Sequence, residues 1–93
     1  MYYYGQGFCD NGYYAGWDGH WDENEEECKN ICLKEPQCKF AAYYNGSKIV
    51  HNGRTKTCSR YNEVTCAFRS PSEDPLAVKH KTFQKRKGKQ IDR

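Results

Sequence analysis

The stretch ECKNICLKEPQCKF, residues 27–40, carries three of the six cysteines within eleven positions. Its reading decides whether the sulfurs hold a metal, perform redox chemistry or staple a fold. Cys28, Ile31, Cys32 and Glu35 follow an i, i+3, i+4, i+7 spacing, which places them on one inward face of a helix. The helix should start at Asp22, an acceptor for the first turn, with Glu25 three residues on in a capping-box pattern. Glu23, Glu25 and Glu26 put negative charge at the positive helix end, and Lys29 and Lys34 follow toward the other. Pro36 disfavours helical backbone at Glu35, so the helix should stop there.

Metal and redox chemistry fit this spacing poorly. Structural zinc sites present close pairs such as C-x2-C, with a second pair further on. Here C-x3-C-x5-C is followed by the distant Cys58 and Cys66, Cys9 stands upstream, and His20, His51 and His80 are isolated. No C-x2-C opens a helix, as a thioredoxin-like centre requires. The acidic run GWDGHWDEN, residues 16–24, breaks the D-x-[DN]-x-[DN]-G spacing of a calcium loop. Ser47 and Ser59 lack an evident His and Asp arrangement, and no Gly-rich phosphate loop is present. The expectation is therefore a non-enzymatic chain with no metal and no cofactor.

Stapling fits better. An even number of cysteines in 93 residues that are only 37% hydrophobic is the pattern of small secreted domains, whose modest core needs cross-links. No stretch approaches the ~20 apolar residues of a membrane span. No charged segment followed by an apolar one succeeds Met1, so no signal peptide is visible. The expected context is still secreted or extracellular, with the chain a mature or excised domain.

Charge divides the chain. Residues 1–66 hold seven Lys/Arg against nine Asp/Glu, whereas residues 67–93 hold eight against three. All cysteines fall in the first part. The expected organisation is a disulfide-stapled domain over residues 1–70 and a basic, disordered tail or linker over residues 71–93. Within the domain, KFAAYY (39–44) suits a strand, RTKTCSRY (54–61) a partner strand, and SKIV (47–50) either a third strand or part of a long hairpin loop. The aromatic, Gly-rich N-terminal part suits short strands or ordered loops covering a small core. The fold class is α+β, one helix on a twisted antiparallel sheet.

The helix face lets Cys28 and Cys32 both reach a sheet. Cys38, just past the Pro36 turn, can fold back to Cys32, and Cys28 can reach a later strand, but six cysteines allow fifteen connectivities. The run EECKNICLKEPQCKFAAYY…KTCSRY resembles the PAN/apple domain family over roughly residues 8–68. The resemblance rests on a helix bearing C-x3-C, a Pro-containing turn, a third cysteine leading into an aromatic strand, and Cys58 on the hairpin partner. It implies the bonds Cys28–Cys58 and Cys32–Cys38, with Cys9–Cys66 as the end-joining bond of the six-cysteine apple form. It also implies a module that binds an extracellular protein or a carbohydrate.

Candidate ligand-binding rings are Tyr13, Tyr14, Trp17, Trp21 and Tyr43, since aromatic faces suit sugar rings and protein anchors alike. If Cys38 faces the helix, alternation turns Phe40, Ala42 and Tyr44 toward it and Tyr43 away, which makes Tyr43 the preferred candidate on its strand. Lys85, Arg86, Lys87 and Lys89 form a basic run that could hold a polyanion such as a sulfated glycan or an acidic surface. Nucleic acid fits poorly with a disulfide-stapled chain. A structural or adhesive role is the weaker reading of eight tyrosines set around a cysteine framework. Asn45-Gly46-Ser47 is an N-glycosylation sequon at a turn signal.

Overall fold

The helix α1 spans Glu25–Lys34 and is capped by Asn24 rather than Asp22. The Asn24 side chain accepts from the Glu27 backbone N–H at 2.9 Å, and the Glu27 carboxylate accepts from the Asn24 N–H at 3.3 Å. The capping-box pattern recurs two residues after Asp22, and the helix takes the later register, which gathers Glu25, Glu26 and Glu27 into its first turn. At the other end Glu35 is extended (φ −95°, ψ 115°), the conformation Pro36 imposes, and its N–H bonds the carbonyls of Ile31 and Cys32. The computed structural model describes residues 1–16, 24–45 and 56–85.

The strands are β1 (Tyr2–Gln6), β2 (Phe8–Cys9), β3 (Tyr13–Ala15), β4 (Phe40–Asn45), β5 (Lys56–Tyr61), β6 (Phe68–Arg69) and β7 (His80–Gln84), with a 3-10 helix at Pro75–Lys79 before the last. Five of them form an antiparallel sheet in the order β1-β7-β4-β5-β3, and β2 pairs with β6 in a separate ribbon. The class is α+β, as expected. The aromatic strand and its partner pair from Phe40↔Tyr61 to Asn45↔Lys56. The possible strand SKIV lies outside the described residues.

Alternation splits the core into two layers. On the helix side, Ala41, Tyr43 and Cys58 cluster with Cys28, Cys32 and Cys38. On the far side, Phe40, Ala42 and Tyr61 cluster with Cys9, and Tyr4, Phe8 and Cys66 pack against them. The parity expected from Cys38 is therefore reversed. Cys38 sits in the turn before β4, where the two-residue alternation has not begun, so counting from it assigns every side chain of the strand to the wrong face.

The domain extends past residue 70. β7 lies inside the sheet, pairing with β1 on one side and with β4 on the other. The expected boundary at residue 70, with a disordered segment from 71, therefore fails for residues 71–85. Residues 86–93 lie outside the described residues. The strand is inconspicuous in sequence because its only strongly apolar residue is Phe83. Its other wholly enclosed side chain, Thr82, donates its hydroxyl to the Gly7 carbonyl. Gly7 is required where it stands: its φ is +143°, and an added Cβ would lie 2.0 Å from the Arg69 carbonyl oxygen.

Three disulfides cross-link the elements, two within the helix-side layer and one within the far-side layer. Cys28–Cys58 ties α1 to β5, Cys32–Cys38 ties α1 to the turn before β4, and Cys9–Cys66 ties β2 to the segment before β6. No cysteine is left free. In the chain-entropy picture, closing the Cys9–Cys66 loop, a sequence separation of 57, constrains the unfolded chain by about 4 kcal/mol. For a small core that is comparable to the whole net stability.

Candidate binding surface

β3 forms one edge of the sheet and carries two adjacent tyrosines with different fates. Tyr13 is 50% exposed, its ring edge-on to Tyr61 with centroids 6.2 Å apart. Tyr14 turns to the other face and packs against the helix-side core. Its hydroxyl donates to Glu35 Oε1 at 2.6 Å. Arg60, wholly buried on β5, places Nε 3.0 Å from the same oxygen. The Lys85 ammonium donates to the Glu35 backbone carbonyl at 2.8 Å. Burial, the hydrogen bond to Glu35 and that carboxylate's charge all push the Tyr14 phenol well above its ordinary value, while Arg60 opposes them. Tyr14 is thus a fixed donor that holds the Glu35 carboxylate in place, and Tyr13 presents its ring at the edge.

Tyr43 does not serve as an exposed ring. It is 7% exposed, within the core cluster under α1, for the parity reason given above. Its phenol is pushed up by burial and further by the Glu25 charge. Trp17 and Trp21 lie outside the described residues. Sequence reasoning passed over Tyr2 and Tyr3, which are 46% and 59% exposed on β1, the opposite edge. The Tyr3 ring meets Phe83 edge-on at 5.7 Å, and Lys29 places its ammonium 4.9 Å from the Phe83 ring centroid. The run MYYY offered little periodicity from which to choose an outward face.

Of the basic run, Lys85 is described and half-buried, and Arg86, Lys87 and Lys89 lie outside the described residues. Asn45 is the last residue of β4, opposite Lys56, and the rest of its sequon lies outside the described residues. His80 is a packing residue. Its ring lies 4.9 Å from that of Phe8 and 4.7 Å from that of Tyr44, and Nδ1 is 2.8 Å from the Leu76 carbonyl oxygen. Burial lowers its proton affinity, with the Leu76 contact and Asp74 acting the other way. Among the described residues, no group of His, Cys, Asp and Glu side chains could hold a metal ion.

The chemistry this arrangement supports is recognition by a rigid frame. Every cysteine is paired, Tyr14 and Arg60 are committed to Glu35, and aromatic rings stand at both sheet edges. No helix among the described residues is long and apolar enough to cross a membrane. No curated protein and no solved structure gave a significant match to the chain. The family model described as PAN domain matches residues 20–86. PAN domains are modules that bind proteins or carbohydrates and occur in extracellular proteins. With that match over more than two thirds of the sequence, and three disulfides consistent with the six-cysteine apple-like form, the chain belongs to the PAN domain family.

Proposed function

We propose that this chain is a non-catalytic, extracellular binding module that recognises a carbohydrate or a protein through the β3 edge of its sheet. The observation that carries this reading is Tyr13. It is half-exposed on an edge strand, braced by the Tyr61 ring, and anchored one residue from the Tyr14–Glu35–Arg60 cluster. A ring held in one orientation loses little freedom on binding, which favours both sugar stacking and protein anchoring. The test is a glycan array together with an extracellular-protein interaction screen, followed by titration of Tyr13→Ala against any hit. Tyr13→Ala should weaken binding about tenfold, the usual scale for an aromatic anchor, while costing only about 1 kcal/mol of stability from the lost Tyr61 pair and leaving unfolding cooperative. Hits that bind Tyr13→Ala as tightly as the parent would remove the β3 edge from the site.

A second reading, polyanion binding, is favoured by the position of Lys85. The basic run starts from a folded strand end beside Lys39 rather than from a separate tail. Retention of the full chain on immobilised heparin, compared with Arg86→Gln/Lys87→Gln/Lys89→Gln, tests it. Unchanged elution salt would reject a site driven by that run.

A further inference from the structure

Asn11 carries its side chain across to the segment around Cys66. Its Nδ2 donates to the Thr65 carbonyl at 3.1 Å, and its Oδ1 accepts from the Ala67 N–H at 2.7 Å. One partner is a carbonyl and the other an N–H, so the amide fits in one orientation only. The Asp10 N–H donates to the Ala67 carbonyl at 2.8 Å, and the Asp10 carboxylate pairs with Arg69. The ribbon of Phe8↔Arg69 and Cys9↔Phe68 is thus prolonged past Cys9, and a side chain makes its last bonds. Those bonds bracket Cys66, the disulfide partner of Cys9.

The residue after Asn11 is Gly12. Glycine has no Cβ, so its backbone nitrogen approaches the preceding side chain with little hindrance. In an opened chain the Gly12 nitrogen gives up its proton to water and attacks Asn11 Cγ. The new C–N bond closes a five-membered imide, and the Cγ–Nδ2 bond breaks to release ammonia. Water then opens the ring at either carbonyl, leaving aspartate or isoaspartate. The folded chain holds this attack off. Both polar atoms of the Asn11 amide are pinned. Gly12, at φ +79°, is held by its own carbonyl, which accepts from the Asn62 N–H at 2.8 Å. Reaction therefore requires a local opening of the ribbon.

We infer that Asn11 is a deamidation site gated by the fold, and that its conversion unfastens the segment carrying Cys66. A carboxylate has no donor for the Thr65 carbonyl and sets oxygen against oxygen there. Isoaspartate also lengthens the main chain by a carbon just before Gly12, against the Gly12–Asn62 bond. The amide does not re-form, so openings of the ribbon accumulate as a covalent record.

The test incubates the unaltered chain at mildly alkaline pH, either native or reduced in urea. Peptide mapping by mass spectrometry separates Asn11 from the other Asn-Gly pairs at Asn45 and Asn52. Asn11 should react about tenfold or more slowly in the native chain, the factor that two hydrogen bonds bring. Arg69→Gln frees Asp10 without touching the reacting dipeptide. It should raise the native rate about threefold, the scale of an exposed ion pair, and leave the unfolded rate unchanged. Asn11→Asp, the product, should speed hydrogen exchange at the Asp10 and Asn62 amides while the amides of β4 keep their protection. Equal native and unfolded rates, or a native rate unmoved by Arg69→Gln, would overturn the gate. An Asn11 that stays intact in the unfolded chain would remove the site altogether. Unchanged exchange in Asn11→Asp would overturn the unfastening. The rate comparison uses the unaltered chain, so it decides the gate even where Asn11→Asp fails to fold.

Discussion

Arg60, wholly buried on β5, has its Nε 3.0 Å from Oε1 of Glu35, the residue that ends α1. A guanidinium taken out of water needs a matching charge, and removing one partner of a buried pair is more costly than replacing both. Glu35→Gln should therefore destabilise the domain by about 2–3 kcal/mol, below the fully buried range because the carboxylate keeps some contact with water. Adding Arg60→Met should recover most of that loss. Urea unfolding of the single and double variants checks both. A Glu35→Gln protein as stable as the parent would show that the pair carries no net energy.

His80 should make the domain acid-sensitive. Burial lowers its folded-state proton affinity, whereas in the unfolded chain it protonates at its ordinary value near 6.5. The unfolded state then binds more protons, so stability is full above about pH 6.5 and falls as pH drops from there toward the lower folded-state value. Denaturant unfolding at pH 7.5 and pH 5 should show the loss, and His80→Gln should reduce it. An identical pH dependence in His80→Gln would place the acid sensitivity elsewhere.

Alkaline conditions should act through two phenols. Burial pushes Tyr61 up to about 12, and Tyr14 is raised further by burial and by Glu35. Both keep their protons in the folded state after the unfolded chain would release them near pH 10. Stability is therefore full below about pH 10 and lost as pH rises toward 12. In a spectrophotometric titration, part of the tyrosine signal should ionise only with unfolding. Tyr61→Phe should shrink that delayed fraction; a single smooth titration near pH 10 would contradict the burial of both rings.

Removing the C-terminal quarter should unfold the domain. A chain ending at Pro71 lacks β7, which separates β1 from β4 in the sheet and carries the buried Thr82 and Phe83. Without it the helix-side core is open along its length and β1 has no partner strand. Thermal melting followed by circular dichroism should lose its cooperative transition. A cooperative melt of the shortened chain would mean that β7 is dispensable.

The sulfur framework and the helix were legible because their signals are local. Cys28 and Cys32 share a helix face by spacing, Pro36 ends the helix by steric restriction of Glu35, and aromatic, strand-prone residues between turn signals mark β4 and β5. The helix start slipped by two residues because Asp22–Glu25 and Asn24–Glu27 offer the same capping pattern. The candidate site was less legible. Exposure of Tyr13 and enclosure of Tyr43 depend on which face of each strand meets α1, and a one-residue error in the origin of the alternation inverts every assignment.

By themselves the residues of this chain determine a small, polar, cysteine-rich α+β domain with a helix that carries Cys28 and Cys32 and stops at Glu35, and an aromatic hairpin. They also determine its strong positive charge toward the C-terminus. Only the tertiary structure decides that part of this basic segment is the second strand of the sheet and that Arg60 lies buried against Glu35. The physical reason is range: a helix face or a turn is set by neighbours a few residues apart. By contrast, β7 finds β1 across nearly the whole chain, through backbone hydrogen bonds that leave little imprint on side-chain composition.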